Sequence, residues 1–216
     1  MIHSLPISLP LLLLLFVFAL LILLVEVRVL TYAYRKVGVH PRYAFAVMLL
    51  SLFGSGVDIP LFAIVSSSPA RASNPTVVAL NVGGALIPIL VSLYLLVRTG
   101  MYVRMLIGTA IVAAVVHSLA QLVPGVGIAI PMLVPPIVAA GVALLLAFRR
   151  APPVAYVAGS MGTLIGADLL NLGKIHGLGA PVASIGGAGT FDGIFVTGIL
   201  AGLLAPVSRP SARDRV

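Results

Sequence analysis

Apolar residues fill this chain in long blocks, separated by short polar or Gly/Pro-rich steps rather than alternating with polar positions. A helix needs about 20 apolar residues to cross the hydrocarbon core of a bilayer. Blocks of that size lie near 9–30, 43–65, 77–97, 101–122, 128–148, 153–172 and 190–207. The pattern predicts an all-α fold: a polytopic transmembrane bundle of about seven spans, several of them broken by Gly and Pro. It forms a single integral membrane domain over 1–216 with a short basic tail at 208–216. Pro10 suits the first turn of the first helix. That helix reads as a retained span, because no basic segment precedes its Leu run and no small-residue cleavage site follows it.

Composition narrows the class. Of the 216 residues, 61% are hydrophobic and 8% charged, and the mean hydropathy is +1.22. A soluble domain carries about a quarter charged residues, so a water-soluble enzyme, a disordered chain and a disulfide scaffold are excluded together. With no cysteine there is no thiol nucleophile and no thiolate metal site. The net charge of +8 is a topology signal, not a nucleic-acid footprint, because the basic residues sit between apolar blocks. With seven spans, eleven of the 13 Lys and Arg fall on one side, leaving only Arg71 and Lys174 opposite. Basic residues favour the cytoplasmic face. The expected location is the cell membrane, with the N-terminus outside and the C-terminus cytoplasmic.

Five acids punctuate the apolar blocks. Asp214 lies in the tail, and Glu26 falls near the cytoplasmic end of the first span, two residues before Arg28. Asp58, Asp168 and Asp192 remain inside spans, where an Asp costs about 2.5–3.5 kcal/mol and marks function by default. Asp168 lies four residues before the outer end of the sixth span, and Asp192 two residues after the start of the seventh. An antiparallel hairpin brings the two to nearly one height. Asp58, Asn81, His117 and Asn171 belong to the same outer level, as do the breaks at Gly54-Ser55-Gly56, Gly83-Gly84 and Gly186-Gly187-Ala188-Gly189. Irregular backbone at membrane depth must be buried in protein or line a watered cavity, so an outward-opening polar pocket is expected. Ordinary roles stay open for these residues. Asp58 suits the N-cap of a helix restarting at Ile59-Pro60, Asp192 suits the positive end of the seventh helix, and His117 suits an interfacial hydrogen bond.

Two close carboxylates cannot both ionise cheaply and share one proton. That state suits peptide hydrolysis, one Asp taking a proton from water while the other polarises the carbonyl. The alternative use of the same acids is an ion site, in a proton- or cation-coupled transporter or channel built on broken helices. A third reading makes them buried pairing groups of an assembly factor.

The stretches Gly162-Thr163-Leu164-Ile165-Gly166-Ala167-Asp168 and Gly186-Gly187-Ala188-Gly189-Thr190-Phe191-Asp192-Gly193, with Gly56-Val57-Asp58-Ile59-Pro60-Leu61, resemble an uncharacterised prokaryotic membrane family, domain of unknown function 1614. That resemblance implies a polytopic membrane protein and brings no activity with it. The acid pair is also similar to the intramembrane aspartyl proteases of the presenilin and signal peptide peptidase group, which place one Asp on a helix and a second in a Gly-x-Gly-Asp motif on the next. This likeness implies Asp168 and Asp192 as catalytic residues, with Gly187 and Gly189 beside the second. Here Thr190 and Phe191 separate the Gly-x-Gly from Asp192. The implied partners are the lipid bilayer and transmembrane peptide substrates; no cofactor, metal or nucleic acid is implied.

Overall fold

The computed structural model describes residues 9–64, 75–123, 127–177, 181–187 and 193–206. Among these, seven α-helices alternate in direction: α1 (Leu9–Val37), α2 (Pro41–Gly54), α3 (Ile87–Thr99), α4 (Tyr102–Leu119), α5 (Val134–Ala147), α6 (Ala151–Thr163) and α7 (Gly193–Leu204). Five short strands complete the fold: β1 (Asp58–Ile64), β2 (Thr76–Asn81), β3 (Gln121–Val123), β4 (Gly127–Ala129) and β5 (Val182–Ile185). The helical hairpins α2/α3, α4/α5 and α6/α7 all turn through extended backbone at one end of the bundle.

The opposite end collects the cations. The Arg98 guanidinium donates to the Gly38 carbonyl, and the Lys36 ammonium donates to the Leu203 carbonyl. Gly202 of α7 abuts Val37 and lies 3.8 Å, measured from the Cβ it lacks, from the Pro152 carbonyl. These contacts bring together the corners that carry Arg35, Lys36, Arg42, Arg98, Arg104, Arg149 and Arg150. The tail at 208–216 and Arg71 lie outside the described residues.

Among the described residues, four helical stretches are long and apolar enough to cross a membrane: Leu9–Val37, Val82–Thr99, Tyr102–Leu119 and Val134–Lys174. The last of these reverses at its middle. Ala147 and Arg150 leave helical φ/ψ, and α5 packs back along α6. Of the seven expected spans, these four stretches carry the long apolar helices, and two of the seven are broken by strands. The expected span 43–65 is α2 followed by β1, and 77–97 is β2, a π-helical turn at Val82–Leu86 and then α3. Proline explains the first change: Pro60 lacks the N–H that a helix interior needs, and it disfavours helical backbone at Ile59. The Thr-Val-Val run opening β2 favours extended backbone. Asp58 is therefore the first residue of a strand, and no helix restarts for it to cap. α7 has only 12 described residues.

β1, β2 and β5 form one sheet in that order, with β1 antiparallel and β5 parallel to β2. α6 is the centre of the bundle, buried on nearly every side. Small residues allow this. Ala158, Gly162 and Gly166 recur every four residues and face Gly108, Val112 and Ala113 of α4, the small-xxx-small spacing that lets membrane helices approach closely. A Cβ on Gly162 would lie 2.6 Å from Val112 Cβ.

Candidate functional site

The strand register assembles the first polar cluster. Asp58 on β1 stands opposite Asn81 on β2. The Asn81 Nδ2 group donates to Asp58 Oδ1 at 3.0 Å and to the Ser55 carbonyl at 2.9 Å, while its Oδ1 accepts from the Gly84 N–H at 2.8 Å. Ser184 on β5 donates to the same Asp58 oxygen at 2.6 Å. Asn81 is 1% exposed, whereas Asp58 is exposed. Asn81 thus caps the π-helical turn with its carbonyl and pins α2 and β1 with its amide. Replacing Asn81 with Ala leaves buried groups unpaired and should cost about 3 kcal/mol. Ser184→Ala, at the exposed rim, should cost under about 1.5 kcal/mol. Parallel unfolding curves in detergent check this order, and equal losses would remove Asn81 from its central role.

A second cluster forms on α4 and α6. After α6 the chain passes through a π-helical turn, Leu164–Asp168, into a 3₁₀ segment, Leu169–Gly177. Such a change of winding frees carbonyl groups. The fully buried Asn171 answers them: its Nδ2 donates to the Gly166 carbonyl at 3.0 Å and the Ala167 carbonyl at 2.9 Å. The same nitrogen lies 3.3 Å from His117 Nδ1, a hydrogen bond only while that ring nitrogen is unprotonated. Lys174 donates to Asn171 Oδ1 at 2.8 Å. Asn171 therefore fixes the turn that carries the half-buried Asp168.

Asp192 and Gly189 lie outside the described residues. Gly193, next after Asp192 in sequence, is described, and a Cβ there would be 3.8 Å from Thr163 Cγ2 on α6. α7 thus starts against α6, five residues before Asp168. Gly187 closes the turn after β5, its N–H bonding to the Ser184 carbonyl at 3.1 Å. The neighbouring Gly186 has φ +72° and packs against Ala85, which seats this turn on the π-helical turn before α3. A small apolar cluster of Val78, Ala85, Leu164, Ile185 and Ile194 joins the sheet, α6 and α7 at this level.

The structure thus pairs Asp58 with Asn81 and His117 with Asn171, in two separate clusters. Among the described residues no three His, Asp or Glu side chains come together. Ser184 and Lys174 complete the clusters, and no pattern of spacing in the sequence marks them. Among the described residues, five buried hydroxyls without hydrogen-bond partners add a further feature: Tyr34 on α1, Ser92 on α3, and Tyr156, Ser160 and Thr163 on one face of α6. The Tyr34 and Tyr156 rings pack together with their centroids 6.3 Å apart. Orphaned buried hydroxyls of this kind are where internal water settles.

The described cavity lies elsewhere, between α1, α2 and α7. Its volume is about 470 Å³, and its walls are apolar except for Glu26 and Ser51. Ser51 is satisfied by the Gly83 carbonyl at 2.7 Å. Glu26 lies on α1, which continues for eleven residues beyond it to Val37.

Interrupted apolar helices, with amides and carboxyls gathered at the interruptions, define an integral membrane protein with a polar level at one end of its bundle. The family described as "Protein of unknown function (DUF1614)" matches residues 20–204, and the chain belongs to it. No curated protein and no solved structure matches the chain.

Proposed function

We propose that the protein is an intramembrane aspartyl protease, cleaving peptide bonds with Asp168 and Asp192 as its acid pair. The observation that carries this reading is the start of α7 against α6: Gly193 meets Thr163, while Asp168 is held one and a half turns further along by Asn171. Asp192 immediately precedes Gly193 in sequence, and this adjacency supports the pairing.

In the reaction, the ionised carboxylate removes a proton from water as the oxygen attacks the peptide carbonyl carbon. The protonated carboxyl hydrogen-bonds to and protonates the carbonyl oxygen, giving a neutral diol. Collapse of the diol breaks the C–N bond, with a proton passing to the leaving nitrogen. Water must reach membrane depth for this, and the hydroxyls of Ser160 and Thr163 on α6 support that supply. The orientation follows the positive-inside rule, with the basic end of the bundle cytoplasmic and the N-terminus outside the cell membrane.

The test uses the full-length protein in lipid vesicles with apolar helical peptides, and with a peptide whose scissile bond is replaced by a hydroxyl-bearing transition-state mimic and a photo-crosslinker. The wild type should yield internal fragments and be labelled by the mimic. A mimic that labels wild type and Asp168→Asn alike would overturn the assignment.

A further inference from the structure

The hydroxyl side chains of α6, Tyr156, Ser160 and Thr163, are spaced four and three residues apart and so share an arc of about 60° on the helix. All three are at most 1% exposed, and none has a hydrogen-bond partner among the described residues. Elsewhere in the molecule Thr99 and Ser118 donate to carbonyls four and three residues back, the ordinary outlet for a hydroxyl on a helix. Ser160 instead turns its oxygen toward α7, into the notch left by a glycine. A Cβ on Gly198 would overlap Ser160 Oγ and lie 3.2 Å from Tyr156 Cε2. Thr163 borders a second notch, at Gly193. At the other end Tyr34 of α1 packs its ring on Tyr156 and adds a fourth unpartnered, fully buried hydroxyl.

The winding of the chain extends this face to Asp168. In an uninterrupted α-helix, position 168 would lie about 140° around from Thr163. Here the Leu169 N–H reaches back to the Leu164 carbonyl, five residues away, as well as to that of Ile165, and the turn Leu164–Asp168 is π-helical. Such a turn holds one residue more than an α-helical one. Position 168 therefore moves back toward the face of Tyr156, Ser160 and Thr163.

The surroundings set what these hydroxyls bind. From Ala151 to Ala167 the chain carries no charge that would balance an ion, and an apolar guest would leave each hydroxyl unpaired. The burial of all four side chains closes the seam to anything large. Water is small and neutral, and it donates to one hydroxyl while accepting from the next. We propose that a file of internal water runs along α6 from the Tyr34–Tyr156 contact to Asp168, and that it supplies the water consumed at that carboxyl. The use of the water rests on the protease reading; the file itself does not.

Full-length protein in phosphatidylcholine vesicles is exposed to X-ray-generated hydroxyl radicals in isotopically labelled water, and the oxygen added to each peptide is read by mass spectrometry. The radicals form from water in place, so a buried side chain is labelled only where water lies beside it. Tyr34 and Tyr156 should be labelled, while the equally buried Leu95 should not. Ser160→Ala with Thr163→Val should bring Tyr156 down to the level of Leu95, in protein whose melting curve shows it folded. The same pair should lower kcat for helical peptides about tenfold, through loss of positioned water, without changing labelling by the transition-state mimic. Unlabelled tyrosines in the wild type would overturn the file whatever the variant does, and so would Tyr156 labelling that survives the double substitution. An unchanged kcat with the file emptied would overturn the supply of water to Asp168. Labelled tyrosines in a wild type that cleaves nothing would instead overturn the protease reading and leave the file standing.

Discussion

Asp168→Asn should remove peptide cleavage, by on the order of 10⁴-fold, and leave the protein folded. Asn matches the shape of Asp and can still donate or accept one hydrogen bond, but it neither takes a proton from water nor passes one to a leaving nitrogen. The proposed reaction needs both acts from one pair of carboxyls. Losses from groups that act as a unit do not add, so Asp192→Asn and the double substitution should each fall to the same floor. Folding should survive, because a neutral amide at membrane depth is cheaper than a carboxylate. The backbone around position 168 is also secured independently by Asn171, which holds the Gly166 and Ala167 carbonyls. Melting curves of the variants should overlay the wild type. Residual cleavage above the floor in either single variant would separate that residue from the chemistry.

Hydropathy alone located α1 and α4 well, since both are long apolar runs between basic corners. It missed how far α1 extends, because the apolar block fades at Leu30 while the helix continues through Thr31-Tyr32-Ala33-Tyr34 to Val37. In this stretch tertiary burial of Tyr34 and Val37 outweighs local hydropathy. The strands were hidden for a related reason. An apolar run such as Asp58–Ile64 is equally compatible with strand and helix on hydropathy, and only Pro60 marks the difference. Once the strand exists, its register dictates the Asp58–Asn81 contact. Asn171 stood out in advance as an amide in an apolar block, whereas Ser184 reaches Asp58 from 126 residues away through the parallel pairing of β2 and β5. The Gly162–Gly166 spacing carries the small-residue signal that fixes α6 against α4.

Gly83→Ala should destabilise the protein by at least about 3 kcal/mol, the upper range for overpacking. A Cβ at Gly83 would lie 2.0 Å from the Ser51 carbonyl oxygen, 2.4 Å from the Ser55 nitrogen and 2.8 Å from Ser55 Cα. All three are backbone atoms at the end of α2, so no side-chain rotation relieves the clash. The π-helical turn and α2 must instead separate, which breaks the Ser51–Gly83 hydrogen bond and pulls Asn81 from the Ser55 carbonyl. Gly141→Ala is the matched control. Gly141 lies in α5 with nothing within 4 Å of its missing Cβ, so alanine there should stabilise by about 0.5–1 kcal/mol through helix propensity alone. Thermal unfolding in one detergent, followed by circular dichroism, compares the two. A Gly83→Ala protein that melts with the wild type would mean that the tight crossing of α2 and the π-helical turn is not what holds Asn81 against Asp58. A large loss there, with Gly141→Ala unchanged or improved, would tie the Gly83-Gly84 pair to that backbone contact rather than to any general dislike of alanine in these helices.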